Sequence, residues 1–378
     1  MAATTALFNQ VPQGERGDLN VNGKQYQSIW FDEILDTVNI IDQTRLPHKF
    51  ETPVLEDLDA ACHAIESMQV RGAPLIGVVA AYGMYLALRE NPQQVARALQ
   101  RLSATRPTAV NLRWALERVA TALEGVAVEM RATAALAAAR ELEREDIAVC
   151  ERIGEHGATL LSELWESKSD KSAALNILTH CNAGALATVD WGTALSVIYK
   201  TVARGIPVHV WVDETRPRNQ GAALTCWELA QHAVKHTLIV DNAGGHLMQQ
   251  GLVDCCIVGS DRTTITGDVC NKIGTYLKAL AAYDNNIPFF VALPVSSIDF
   301  SLSDGIREIP IEQRAADEVS HFSGIDEKGE LQTLRMTPED VCISNFGFDV
   351  TPARLVTRLI TEQGVCRANR LEVSQLAH

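Results

Sequence analysis

The segment Leu175-Asn176-Ile177-Leu178-Thr179-His180-Cys181-Asn182-Ala183-Gly184 decides the fold class of this chain. An apolar run, Leu175 to Leu178, delivers a polar turn ending in glycine, and a helix-like stretch follows at Thr193–Ala203. The pattern returns about eighty residues later, where Cys255 to Val258 leads into Gly259-Ser260-Asp261-Arg262-Thr263. Each segment reads as a parallel strand with a reactive side chain at its carboxyl end. In open α/β sheets ligands bind along that edge. A thiol and a carboxyl brought there by two strands read as the halves of one catalytic site.

Outward from these two segments, further apolar strand candidates stand at Val208–Val212, Thr237–Val240, Phe289–Leu293 and Val341–Ile343. Helical stretches separate most of them, notably Ala222–Val234 and Val269–Tyr283. Strand–helix alternation at this spacing predicts a doubly wound parallel sheet over residues 151–378. Residues 1–150 differ. After a loose leader, Gln27–Asp42 alternates apolar and polar residues and predicts short antiparallel strands turning near Asp36-Thr37. Leu55–Arg144 is rich in alanine, leucine, glutamate and arginine at helical spacing, with boundaries at Asn91-Pro92 and Arg106-Pro107. The expectation is an α/β protein with a smaller N-terminal domain of short antiparallel strands plus a helical bundle.

The chain has 378 residues, 47% of them hydrophobic, and a formal net charge of −14. That length suits two domains of ordinary size. The charge argues against a nucleic-acid or anionic-membrane partner. An anionic substrate must then be captured by a few local cations against the global field. No GxGxxG follows a strand candidate and no GxxxxGK[ST] occurs, which argues against a nicotinamide-dependent oxidoreductase and against a nucleoside-triphosphate site. Nine cysteines show neither a CxxC pair nor a zinc-type Cys/His spacing, so no metal is expected. Cys255 and Cys256 are expected to be buried on opposite faces of one strand. Met1 to Gly23 has no apolar core of signal-peptide type, and no run reaches the ~18 apolar residues of a membrane span. Reduced thiols without an export signal point to the cytoplasm.

Several loops carry the residue types that an anion site needs. Arg71-Gly72-Ala73-Pro74 sets a cation before two small residues, where backbone can approach a ligand closely, and the proline can open the next helix. Thr105-Arg106-Pro107 is similar, and Asp213-Glu214-Thr215-Arg216-Pro217 with Asn219-Gln220-Gly221 closes another strand. Gly267-Asp268-Val269-Cys270-Asn271-Lys272 reads as a loop entering a helix whose first turn carries Asn271 and Lys272, a ready phosphate site. His180 adjoins Cys181, but neighbours on a strand face opposite ways, so a Cys–His dyad is not expected. Cys181, taken to lie at a helix N-terminus, is expected to be drawn towards thiolate. Asp261, in an apolar pocket, is expected to be held neutral.

Together these segments resemble the 5-methylthioribose-1-phosphate isomerase family. The resemblance runs through IDQTRLP (41–47), RGAPLIG (71–77), RPTAVNL (106–112), IGEHGA (153–158), HCNAGALAT (180–188), DETRPRNQGAALT (213–225), GDVCNKIGTY (267–276) and FDVTPA (348–353). It implies a Rossmann-like C-terminal domain, a homodimer and no cofactor. It also implies an aldose–ketose isomerisation of a sugar 1-phosphate in methionine salvage. The family's catalytic cysteine and aspartate fall on Cys181 and Asp261. Its sugar-phosphate contacts fall on Arg71, Gly72, Ala73, Arg106, Gln220, Asn271 and Lys272. Gly259-Ser260-Asp261-Arg262-Thr263 and Asn345-Phe346-Gly347 depart from the family's usual Gly-Ala-Asp-Arg-Ile and Asn-Pro-Ala. The C5 substituent therefore stays open between 5-methylthioribose 1-phosphate, 5-deoxyribose 1-phosphate and ribose 1,5-bisphosphate. Related regulatory subunits of a translation initiation exchange factor only bind, and the Cys181/Asp261 pair favours an enzyme over that alternative.

Overall fold

The computed structural model describes residues 19–106, 109–171 and 173–377. Most of the leader, together with Pro107 and Thr108, therefore lies outside the described residues. Strands Ile29–Asp32, Thr37–Ile40 and Val54–Leu55 form a small antiparallel sheet, as the alternation predicts. Five α-helices come next among the described residues: Leu58–Glu66, Ala73–Glu90, Val95–Ser103, Val110–Ala122 and Arg131–Ser167. The Ala73–Glu90 helix is apolar on every side and is buried throughout Leu75–Leu88, as a central helix must be. It stops at Asn91, before Pro92, where the proline step predicts its end.

The last helix, 37 residues long, runs unbroken through position 150. It gives Ala135, Ala139 and Leu142 to the N-terminal core. Further along, Ile153 and Leu161 enter the core of the large sheet. A division near residue 150 would fall inside this helix.

The large sheet has seven strands among the described residues. In spatial order they are Gly364–Cys366, Arg358–Thr361, Phe289–Ala292, Cys255–Val258, Leu175–Thr179, Val208–Asp213 and His236–Ile239. All pairings are parallel except that of Gly364–Cys366, which returns antiparallel at the edge. Counted along the chain, the six parallel strands lie in the order 3-2-1-4-5-6, the doubly wound Rossmann arrangement. Alternate side chains feed cores on the two faces: Cys255 enters one and Cys256 the other.

Two expectations need correction. Val341–Ile343 is no strand, and Val341 is exposed. A strand inside a parallel sheet needs both faces buried, and Leu359 and Ile360, fully buried, meet that need instead. Val269–Tyr283 is not one helix. Val269–Lys272 is a strand, and the helix starts only at Thr275, after Gly274 at φ +100°. Val269–Lys272 pairs with Arg262–Thr264 and with Phe348–Thr351 in a second, four-stranded sheet that also includes Ile298–Asp299.

The helix Arg131–Ser167 is tied to the segment entering the large sheet's first helix by Asp146, which accepts the Val189 N–H at 2.6 Å. Burial pushes its carboxyl up to about 7, against the pull of that hydrogen bond. Ionising a group whose native pKa is raised costs stability. The cost is absent below the unfolded value near ~4 and complete above about 7. Asp146→Asn keeps an acceptor for Val189 and removes the cost. It should raise the melting temperature by roughly a few degrees at pH 8 and by less at pH 5, as read by thermal unfolding at the two pH values.

Candidate active site

Strands 1 and 4 of the 3-2-1-4-5-6 order are adjacent, and their connections leave in opposite directions. The edge above them is the switch point at which such sheets leave a crevice. Leu175–Thr179 and Cys255–Val258 are those strands, and Cys181 and Asp261 lie two and three residues beyond their ends. Both side chains line one cleft there, whose other wall is the start of the Ala73–Glu90 helix.

Cys181 is buried with its backbone in the left-handed region, φ +63°. A non-glycine residue holds that conformation only where its surroundings fix it. Its N–H donates to Thr215 Oγ1 at 2.8 Å, and its carbonyl accepts from Thr225 Oγ1 at 2.6 Å. The thiol lies 3.3 Å from Gln220 Oε1. The turn continues to a short 3₁₀ helix, Ala185–Ala187, so Cys181 is not at the N-terminus of an α-helix as expected. Nor is its thiol drawn down overall: burial pushes it up, opposed by the Lys272 and Arg71 cations. Asp261 is half-buried and stands among cations, not in the apolar pocket expected, yet its shift has the expected direction. Burial raises its carboxyl above the usual range, against Lys272, Arg106 and Arg71.

The hairpin Arg262–Thr264/Val269–Lys272 pairs Arg262 with Cys270, and the Asp261 N–H donates to the Cys270 carbonyl at 3.0 Å. That register, not a helix N-terminus, brings Asn271 and Lys272 beside Asp261. The Lys272 ammonium is buried, stands over the Phe348 ring at 5.0 Å, and has no carboxylate within ion-pair distance among the described residues. Arg71 Nη1 donates to the Asn182 carbonyl at 2.8 Å and Nη2 to the Asn182 side-chain oxygen. Arg106 pairs with Glu312 at 3.2 Å. The Nε atoms of both arginines are buried without a partner, a costly state that an anionic ligand would relieve.

Gly72 lets this wall approach. At φ +97° its Cα sits so close to Ala187 that any side chain would strike the Ala187 carbonyl. All nine residues singled out from the sequence, namely Arg71, Gly72, Ala73, Arg106, Cys181, Gln220, Asp261, Asn271 and Lys272, border this one cleft.

Sequence reasoning missed Glu228. It is fully buried and accepts from Asn182 Nδ2 at 2.8 Å and from the Ala185 and Leu186 N–H groups at 2.8 and 3.1 Å. Asn182 thus faces Glu228 with its amide nitrogen and Arg71 with its oxygen. A glutamate inside a helical stretch gives no signal of this role. Among the described residues, His180, Asp213 and Asp241 are grouped closely enough to share a cation, but the Lys278 ammonium already lies 3.1 Å from Asp213.

A sequence model described as the initiation factor 2 subunit family matches residues 69–368. A methylthioribose-1-phosphate isomerase from Methylocella silvestris is 59% identical over 353 residues, covering 93% of this chain and 96% of its own. Among solved structures, 5-methylthioribose 1-phosphate isomerase from Pyrococcus horikoshii superposes with a TM-score of 0.80 at 37% identity, over 94% of this chain and 96% of that one. Subunit delta of translation initiation factor eIF-2B from A. fulgidus gives 0.77 at 39%, over 93% and 99%.

Glu228→Gln would turn an amide N–H₂ towards groups that are already donors. The variant should lose roughly 1–3 kcal/mol of stability, the cost of a buried polar group left unpaired. Equilibrium urea unfolding measures this directly.

Proposed function

This chain belongs to the initiation factor 2 subunit family, and we infer that within it the chain is a methylthioribose-1-phosphate isomerase. It converts 5-methylthioribose 1-phosphate, an aldose 1-phosphate, into the ketose 5-methylthioribulose 1-phosphate. One observation carries the site assignment: Arg71, Arg106 and Lys272 of a protein with net charge −14 converge on the cleft holding Cys181 and Asp261, and Lys272 has no carboxylate within ion-pair distance among the described residues.

The anomeric oxygen carries the phosphate, so the substrate is locked as a ring. Arg71, Arg106 and Lys272 bind the phosphate, with Gly72, Ala73, Gln220 and Asn271 shaping the sugar's surroundings. Asp261, whose carboxyl burial raises above its usual range, gives its proton to the ring oxygen as the bond from C1 breaks. Hydrogen must then pass from C2 to C1. Because burial also keeps the Cys181 thiol protonated, a hydride shift suits this cleft better than abstraction by a thiolate. The hydride leaves C2 with its electron pair, the C2 hydroxyl releases a proton as the carbonyl forms, and the emptied Asp261 carboxylate takes it. Cys181 stands on the opposite side of the sugar, where its polarisable sulfur faces the positive charge that develops at C1 and C2 during the shift, and it helps exclude water. No redox cofactor enters this sequence of steps.

No helix among the described residues is long and apolar enough to cross a membrane. The nine free thiols suit the cytoplasm. Exposed Leu277 and Tyr283 on the helix Thr275–Asp284, with Phe322 and Leu334 on the hairpin His321–Ile325/Leu331–Arg335, support a homodimer.

Incubation with 5-methylthioribose 1-phosphate, 5-deoxyribose 1-phosphate and ribose 1,5-bisphosphate should yield ketose fastest from the first. Absence of ketose from all three would favour the binding role of an exchange-factor subunit. Deuterium at C2 should be retained at C1 of the product, whereas washout into water would restore the proton route. Lys272→Ala should raise KM ten- to a hundredfold, the loss of about 1.5–3 kcal/mol for a charge-assisted contact, with little change in melting temperature. Cys181→Ser and Asp261→Asn should each slow turnover by roughly a hundredfold or more, and the double variant by much less than the product. In the unsubstituted enzyme kcat/KM should fall as pH rises past the raised Asp261 carboxyl, and Asp261→Asn should abolish that limb. Light scattering at micromolar concentration should give twice the chain mass.

A further inference from the structure

His180 is 1% exposed, yet both nitrogens of its ring meet oxygens. Nε2 lies 2.8 Å from the Ile273 carbonyl oxygen and Nδ1 lies 3.0 Å from Asp213 Oδ2. A carbonyl oxygen only accepts, so Nε2 carries a proton. Asp213 is fully buried, and its Oδ2 is also 3.1 Å from the Lys278 ammonium, which favours the ionised carboxylate. An ionised carboxylate likewise only accepts, so Nδ1 carries a proton too. The ring is charged, and the charge has a reason to be there. Asp213, Asp241 and Asp349 face this pocket; Lys278 pairs with Asp213, and burial raises the Asp349 carboxyl while its Gly274 and Tyr276 hydrogen bonds and the His180 ring oppose the rise.

The ring joins three strand ends, two of which carry Cys181 and Lys272 of the cleft. His180 immediately precedes Cys181. Asp213 ends the neighbouring strand Val208–Asp213, and Ile273 comes directly after Lys272. The Cys181 turn belongs to the large sheet and Lys272 to the small one, so nothing in a common hydrogen-bond ladder fixes their relative position. The two hydrogen bonds of one ring bridge them directly, alongside the Lys278–Asp213 ion pair and the hairpin that carries Asp261. Gly274 makes room for it: any Cβ there would stand 3.1 Å from His180 Cε1 and Nε2.

We propose that His180 is a positioning residue of the isomerisation, a doubly protonated ring that fastens the Cys181 turn to the Lys272 strand and keeps the two sides of the cleft in register. The proposal rests on the isomerase reading above. It reverses the ordinary role of a histidine beside a cysteine, since a ring with both nitrogens donating cannot serve as a base for its neighbour.

Two measurements test it. In protein labelled with ¹⁵N-histidine, the His180 resonances are identified by their loss in His180→Gln. At pH 7 both ring nitrogens should show the shifts of protonated imidazolium, and a spectrum with one unprotonated nitrogen overturns the proposal whatever the enzyme's activity. In kinetics, His180→Gln keeps a donor for Ile273 and His180→Asn keeps one for Asp213. Each should lower kcat at least about tenfold while KM changes less than about threefold, because the phosphate-binding cations stay in place and their alignment with Cys181 is lost. An unchanged kcat in both variants overturns the positioning role. The unsubstituted enzyme is assayed alongside: if it forms no ketose, the isomerase reading fails, and the ¹⁵N spectrum still decides the state of the ring.

Discussion

Strands 1 and 4 of the large sheet lie side by side while the chain leaves them in opposite directions, and the rest of the site depends on that reversal. No crossover helix can cover the edge above such a pair. The uncovered edge is filled by the segments that leave the two strands: the left-handed Cys181 turn from one, Asp261 and its hairpin from the other. The N-terminal unit then closes the space with the mouth of the Ala73–Glu90 helix, and Gly72 lets backbone meet backbone there. The groups of the site are therefore assembled from segments some two hundred residues apart without any of them needing a long loop.

Burying positive charge is the second constraint. Arg71 has no carboxylate at salt-bridge distance among the described residues; Glu228 acts on it through the amide of Asn182. A direct ion pair would have occupied the guanidinium face that the cleft needs. An amide between them lets the carboxylate hold the arginine's carrier in place and leave its Nε available. Charge across a neutral spacer keeps more of its reach in a low-dielectric interior than it would in water.

The fold was legible where burial dictated residue type. Leu175–Thr179, Val208–Asp213, Cys255–Val258 and Phe289–Ala292 are apolar because both faces are covered, and the periodicity finds each within a residue or so. Arg358–Thr361 escaped because only Leu359 and Ile360 need be apolar in so short a strand, while the more hydrophobic Val341–Ile343 lies outside any sheet. Val269–Lys272 was misread because an apolar–polar tetrapeptide beside a true helix start carries no period of its own. The candidate residues were legible as a set because loops rich in glycine, proline and cations stand out against a helical background. Their mutual arrangement was not. Lys272 reaches Asp261 through the register of a hairpin, and Glu228 and His180 act through partners far away in sequence, which no local pattern records.

The helix Arg131–Ser167 has a mechanical consequence. At ~1.5 Å per residue its 37 residues make a beam of roughly 55 Å, clamped into one hydrophobic core near its start and into the other near its middle. The second clamp runs on to Leu164 and Trp165 at the helix's end, so two halves joined by this stiff beam have no swivel there. Access to the cleft must then come from small elements at its rim, not from the halves opening like a jaw. The same beam couples their melting. Neither core can come apart without fraying the rod that the other grips, so heat should find one cooperative unit where the layout of sheets and helices suggests two.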